Sequence, residues 1–316
     1  MKIQSLSIVV PTKKCVNNCA FCVSKTHDND YKDCFYTGKP WTETPTTEQK
    51  RFEENYIERL EFAKDNNTNT IILTGTGEPL QNKTFLRKFA EWNKSLHKPF
   101  YIIELQTSGV FLDNETLEFL RDEIRVKTIS LSVSDLFDNE NNLNIIDVPK
   151  KLRFDLDDVC KRIKDFGFNL RISLNVLNNI EKVLEKSKKS DIYDFDKLFN
   201  RLKELKSDQI TFRKLWKSSN KPYFLLSDID RWIDENMARE VFFVKLNSHI
   251  KKNGRLLGRL TFGALQYEIG GENGISTVID DDCMSEEIKE DKIKYLILRE
   301  NAKLYKLWDS KASLIF

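Results

Sequence analysis

What the chain lacks narrows its biology first. Nowhere in its 316 residues does an apolar run approach the roughly eighteen residues that a membrane-crossing helix needs, so no membrane partner is expected. The start, Met1-Lys2-Ile3-Gln4-Ser5, carries no long apolar core and no small-residue cleavage site, and a secretory signal is not expected. An excess of one charge is also missing, since 51 Lys plus Arg stand against 49 Asp plus Glu, a net of +2. A field so nearly balanced does not hold a polyanion by itself, which argues against nucleic acid as the main partner. The local basic stretch Lys251-Lys252-Asn253-Gly254-Arg255, with Arg259, is what leaves that reading open. Histidine is scarce, and His27, His97 and His249 are too scattered to form a metal-ligand spacing. Six cysteines, three of them clustered, do not make a disulfide framework and suit a reducing cytoplasm. No repeat of 20–50 residues stands out.

What is present describes an ordinary globular protein, with 40% hydrophobic and 32% charged residues and length enough for one large core or two modest ones. Short β-rich runs alternate with helical spacing through the first two-thirds. Strands are predicted at 5–10, 70–73, 101–105, 126–133, 169–177 and 209–212. Helices are predicted at 48–64, 83–96, 114–121, 156–166 and 194–205. Six such units predict an α/β fold, a partial (β/α)6 barrel over residues 1–215. After Leu215 the rhythm changes. A helix is expected at 229–250, then strands at 256–269, 275–279, 293–298 and 303–307, a β-rich C-terminal extension over 216–316. That extension is expected to cover the barrel and carry substrate specificity.

Two motifs carry chemistry. Cys15, Cys19 and Cys22 stand as C-x3-C-x2-C directly after the first apolar run. Three thiolates can hold three corners of a cubic iron–sulfur cluster and leave its fourth iron open to an external ligand. A structural zinc site is the competing reading, with His27 or Cys34 as a fourth ligand, although zinc knuckles more often pair C-x2-C twice. Directly after the second strand comes Thr74-Gly75-Thr76-Gly77-Glu78-Pro79-Leu80. Glycine lets a backbone pass close to a ligand, and a carboxylate pairs with an ammonium. Taken alone, the same residues read as a turn before a helix, with Pro79 near its first position.

Together the two motifs resemble those of the radical S-adenosylmethionine (SAM) superfamily, which also places an aromatic residue such as Phe21 before the third cysteine. The commonest family form is Gly-Gly-Glu-Pro; here Thr76 takes the place of the first glycine. The resemblance implies a [4Fe-4S] cluster on Cys15, Cys19 and Cys22, and S-adenosylmethionine held by Gly75, Thr76, Gly77, Glu78 and Pro79, with Glu78 on the amino group. Thr107 and Ser108, after the third strand, are expected near the ribose and adenine. Ser130, Ser132 and Ser134 share one face of their strand at period two, and Arg171, Ser173 and Asn175 share one face of the next. The resemblance implies SAM ribose and carboxylate contacts there, with Arg171 suited to the carboxylate, and Thr211 and Arg213 close the sixth strand in the same way.

The implied activity is reductive cleavage of SAM, with an electron from flavodoxin or ferredoxin, to methionine and a 5′-deoxyadenosyl radical that takes hydrogen from a substrate. The expected substrate is a small molecule, nucleoside- or sugar-like, or a peptide. Asp280-Asp281-Asp282-Cys283-Met284 is the unusual stretch of the extension, read either as an acidic surface turn or as a contact for a cationic or hydroxyl-bearing substrate. The core looks like the molybdenum-cofactor cyclase and peptide-maturase type, but Cys283 is the sole cysteine of the extension, too few for an auxiliary cluster. Two alternatives stand beside this. One is an RNA methyltransferase-like enzyme using Cys283; the other is a non-catalytic zinc or iron–sulfur module.

Overall fold

A computed structural model describes residues 2–25, 46–187, 191–217, 223–259, 264–271, 274–279, 292–308 and 310–316. In chain order they form β1 (Lys2–Val9), α1 (Thr47–Asp65), β2 (Thr70–Thr74), α2 (Lys83–Ser95), β3 (Ile102–Thr107), α3 (Asn114–Phe119) and β4 (Thr128–Val133). There follow α4 (Asn139–Ile145), α5 (Leu156–Asp165), β5 (Asn169–Asn175), α6 (Asn178–Leu184), the short pair β6 (Glu185–Ser187) and β7 (Ile192–Tyr193), α7 (Phe195–Glu204) and β8 (Gln209–Arg213). The last third contributes α8 (Asp228–Asn236), α9 (Glu240–Asn253), β9 (Arg255–Arg259), β10 (Leu265–Ile269), β11 (Ile275–Ile279), β12 (Lys292–Leu298) and β13 (Leu304–Tyr305). All six strands expected of the β/α units are present. Among the described residues no helix is long and apolar enough to cross a membrane.

The chain divides into two compact units, one of residues 1–17, 24–129 and 288–316, the other of residues 18–23 and 130–287. In the first unit the strands lie in the order β13-β12-β1-β2-β3, with β1 parallel to both β2 and β12. Leu6 and Ile8 of β1 and Ile71 and Leu73 of β2 are fully buried, as expected of parallel strands covered on both faces. Helix α1 starts where the sequence supplies a capping box: Thr46 accepts from Gln49 N while the Gln49 side chain accepts from Thr46 N. Its apolar stripe meets α2 in an aromatic cluster, with Tyr56 and Trp92 ring centroids 4.5 Å apart and Phe52 and Phe85 beside them.

In the second unit the order is β4-β5-β8-β11-β10-β9, with β5, β8 and β11 parallel and β9, β10 and β11 antiparallel. The single strand expected at 256–269 is therefore two antiparallel strands, β9 and β10. The single helix expected at 229–250 is likewise two helices. Met237 turns to extended backbone (φ −69°, ψ 146°) and forms a bridge with Leu177, and Ala238 N–H donates to Val176 O. Arg239 then pins the break, pairing with Glu181, Glu185 and Asp191. Local helical spacing carries no sign of that distant anchor.

Candidate functional site

In the first unit β1 and β2 end side by side, Val9 opposite Thr74, and their carboxyl ends lead into the two motifs. Val10 N–H donates to Thr74 O at 2.7 Å, so the ladder continues one residue into the cysteine loop. The Gly75–Pro79 turn then folds over that loop. A Cβ added at Gly77 would stand 2.2 Å from Thr12 Oγ1 and 3.3 Å from Cys15 Cα, and one at Gly75 would stand 3.0 Å from Val10 O. Glycine is needed at these positions for close approach of two backbones.

Two side chains just past the turn complete the junction, and sequence reasoning missed both. Gln81 accepts from Val16 N–H at 2.8 Å and donates to Lys14 O at 3.0 Å, bracketing Cys15 from either side. Asn82 donates to Pro11 O and caps α2 through Phe85 N–H. Polar residues around a helix start read as ordinary capping, and no local signal distinguishes a cap from a cap that also holds a loop.

Glu78 sits at the centre of the turn, 3% exposed. Its Oε1 accepts from Leu80 N–H at 3.2 Å and Thr107 Oγ1 at 2.7 Å; its Oε2 accepts from Ser108 N–H at 2.9 Å and Ser108 Oγ at 2.7 Å. A carboxylate offers about four lone-pair positions, and all are taken. Burial raises its pKa, and the four donors oppose that rise. Thr107 and Ser108 therefore spend their hydroxyls on Glu78. Pro79 opens a short 3-10 turn for which Glu78 is the cap. Thr76, where the family has glycine, donates its hydroxyl to Glu300 Oε1 at 3.4 Å.

The chain passes between the two units at residues 17–18 and again at 23–24, so Cys15 belongs to the first and Cys19 and Cys22 to the second. All three thiols are half-buried and free of disulfides. Within the second unit Cys22 N–H donates to Cys19 O, the Cys19 thiol donates to Ile146 O at 3.3 Å, and Asn18 donates to Asp147 Oδ2 at 3.1 Å. Phe21 packs on Trp232 of α8 with centroids 5.4 Å apart. Among the described residues no three His, Cys, Asp or Glu side chains are gathered tightly enough to hold a single metal ion. Tetrahedral zinc would draw thiolates to within about 4 Å of one another. A cubane presents its irons at separate corners and tolerates wider spacing. His27, Cys34 and the Asp280–Met284 stretch lie outside the described residues.

The remaining expected contacts lie in the second unit. Ser130, Ser134, Ser173 and Asn175 are buried, and Ser132 is half-buried. Asn175 donates to Ser134 Oγ at 3.1 Å and faces Arg213 across β5 and β8. Arg213 Nε is buried without a hydrogen-bond partner. Arg171 stands four residues earlier on β5, opposite Gln209, and donates to its Oε1 at 2.8 Å. At about 3.3 Å per residue that places it some 13 Å from Asn175, toward the amino end of the strands. The structure thus groups Asn175, Ser134 and Arg213 at the carboxyl ends, where α/β sheets bind ligands, and leaves Arg171 apart. Cys160 lies on α5 in the core with its thiol pushed up to about 12 by burial, unsuited to a thiolate role.

The segment bearing both motifs is also the one that a known family matches: the Radical SAM superfamily, over residues 9–180, more than half of the chain. The chain belongs to the radical SAM superfamily. Members of this superfamily are enzymes that use a [4Fe-4S] cluster and S-adenosylmethionine, and these are the cofactors of this chain. Among solved structures, a histidine-tagged form of anSMEcpe with bound AdoMet matches with a TM-score of 0.56 at 15% identity, over 99% of this chain and 76% of that one. Coproporphyrinogen III oxidase (HemN) from Escherichia coli matches with a TM-score of 0.50 at 14% identity, over 87% of this chain and 63% of that one. The native form of anSMEcpe with bound AdoMet is 17% identical with a TM-score of 0.49, and the match covers 79% of this chain but 60% of that one. At such identity the first two likenesses speak for the fold alone, the partial barrel of the radical SAM enzymes. No curated protein matches the chain.

Proposed function

We propose that Cys15, Cys19 and Cys22 hold the [4Fe-4S] cluster through three of its irons, that SAM binds beside the Gly75–Pro79 turn, and that the enzyme abstracts hydrogen from a small nucleoside- or sugar-like molecule or a peptide. The observation that carries this reading is the Gln81 clasp. One side chain just past the second motif bonds the backbone on both sides of the first cysteine, so that motif and the start of the cysteine loop are tied together. When bound and reduced by one electron, cluster and SAM together supply hydrogen-atom abstraction. The protein's own part is positional. Gly77 gives the turn room to lie against Cys15, Gln81 fixes the backbone there, and Glu78 locks the end of β3 to the turn. Of the two arginines, Arg213 suits a carboxylate or ribose of SAM, because its Nε is buried and unpaired beside Asn175 at the carboxyl ends. Residues 216–316 are proposed to set substrate choice, and flavodoxin or ferredoxin to deliver the electron, in the cytoplasm.

The test is anaerobic reconstitution. A brown protein with about four irons per chain that converts SAM to 5′-deoxyadenosine, and loses both properties in Cys15→Ala, Cys19→Ala and Cys22→Ala, supports the reading. A colourless protein holding one zinc overturns it.

A further inference from the structure

Resting on the reading of Cys15, Cys19 and Cys22 as cluster ligands, we infer that Asp147, at the end of α4, is a positioning residue for the second of them. The helix closes in a Schellman motif: Val148 N–H donates to Leu143 O at 3.0 Å and Asp147 N–H to Asn144 O at 3.1 Å. That motif puts the residue just past the cap in the left-handed region, where glycine is usual. Asp147 stands there with φ 51°. An aspartate at this point carries a backbone penalty that glycine would remove, and such departures from a local rule mark places where a side chain is needed.

The Asp147 side chain has a definite use. Its Oδ2 accepts from the Asn18 amide at 3.1 Å, and the carbonyl of the residue before it, Ile146, accepts from the Cys19 thiol at 3.3 Å. Two consecutive residues at the end of α4 thus hold two consecutive residues of the cysteine loop, all within the second unit. The two ties differ in one respect. A thiol that binds iron gives up its proton, so Cys19 can then no longer donate to Ile146 O. The Asn18–Asp147 bond involves no thiol and is unaffected by that loss. Farther back along the helix, Asn142 Oδ1 accepts from Ser134 N–H at 2.8 Å, just past β4, and Ile146 N–H donates to Asn142 O at 3.2 Å. Helix α4 is therefore a strut from the carboxyl end of β4 to the second cysteine, and Asp147 is its contact. What Gln81 does for the backbone around Cys15, Asp147 does for the approach to Cys19.

The test follows release of iron from the anaerobically reconstituted protein to a colorimetric ferrous chelator, beside urea unfolding of the iron-free protein. Asp147→Gly keeps the left-handed backbone and removes the carboxylate. It should release iron about three- to ten-fold faster than wild type, as expected for loss of one hydrogen bond. Its iron-free urea midpoint should stay equal or rise, because glycine relieves the backbone; a residue with a purely structural role would lower stability as well. Asp147→Asn keeps an acceptor and tolerates the same backbone, so its release should lie within about two-fold of wild type. Asn18→Ala should release iron at least as fast as Asp147→Gly, and the double variant no faster than Asn18→Ala alone. Wild-type release by Asp147→Gly overturns the inference, as do equal acceleration in Asp147→Asn and additive losses in the double variant. Should Asp147→Gly fail to fold, Asn18→Ala decides, with faster release supporting the inference and wild-type release overturning it. A wild-type protein that takes up no iron overturns the cluster reading and this inference with it, whereas iron uptake that the variants leave undisturbed overturns this inference alone.

Discussion

Replacing Glu78 by glutamine tests the geometry of the turn at its most buried point. Glutamine keeps the shape but turns one carboxylate oxygen into an NH2 group. If the amide nitrogen takes the Oε2 position, it meets Ser108 N–H, a donor 2.9 Å from the atom it replaces. If it takes the Oε1 position, it meets Leu80 N–H. The hydroxyls of Thr107 and Ser108 can rotate to adapt; a backbone amide cannot. One buried N–H therefore loses its acceptor in either orientation, and the surviving bonds lose their charge assistance, for a total cost of about 2–4 kcal/mol. Relief from burying a charge is already within that range. With a urea slope of about 3 kcal/mol per M for a chain this long, the midpoint should fall by roughly 1 M. The assay is equilibrium urea unfolding of the iron-free protein followed by circular dichroism. A fall below about 0.2 M would refute the four-bond arrangement, because that is under 1 kcal/mol on the same slope.

Gly77→Ala should lower iron content after reconstitution by at least about half, because its Cβ would meet Thr12 and the Cys15 backbone and push the cysteine loop away; full iron loading by a colorimetric assay contradicts this. Gln81→Leu should bind iron that is lost faster on gel filtration, since Lys14 O and Val16 N–H lose the side chain that brackets Cys15, and retention equal to wild type speaks against the clasp. The folded protein holds the Glu300 proton to higher pH than the unfolded chain, whose carboxyl titrates near its ordinary 4.5. Above that pH, up to the raised folded value, the folded state binds more protons, so stability falls as pH rises through the window and levels beyond it. Glu300→Gln should show a shallower fall in urea midpoints across the window; an unchanged slope contradicts the burial of Glu300.

Much of the fold was legible in the sequence because parallel strands buried on both faces read as short apolar runs, as in Ser5–Val10, and amphipathic helices read by period, as in α5 and α7. The motifs were legible because cysteine spacing and a glycine-flanked Glu-Pro are rarely needed for packing. Three things were hidden, each for a nonlocal reason. The partner of β12 is β1, some 290 residues earlier, and strand periodicity carries no address for a partner. Glu300 ends an apolar strand as an ordinary charged residue would, and its burial beside Thr76 appears only once that pairing is made. Arg171 and Asn175 share a strand face, as the alternation predicts, yet alternation does not say which end of the strand faces a ligand; the register against β8 separates them.

The central claim is that three thiolates hold a cubane whose fourth iron is left for SAM. The most direct measurement is electron paramagnetic resonance of the reconstituted, dithionite-reduced protein before and after adding SAM. The account predicts a spin-½ cluster signal whose g-values shift on addition, and no such signal in Cys19→Ala. A cluster signal indifferent to saturating SAM would contradict it, because the open iron would then not be where SAM binds.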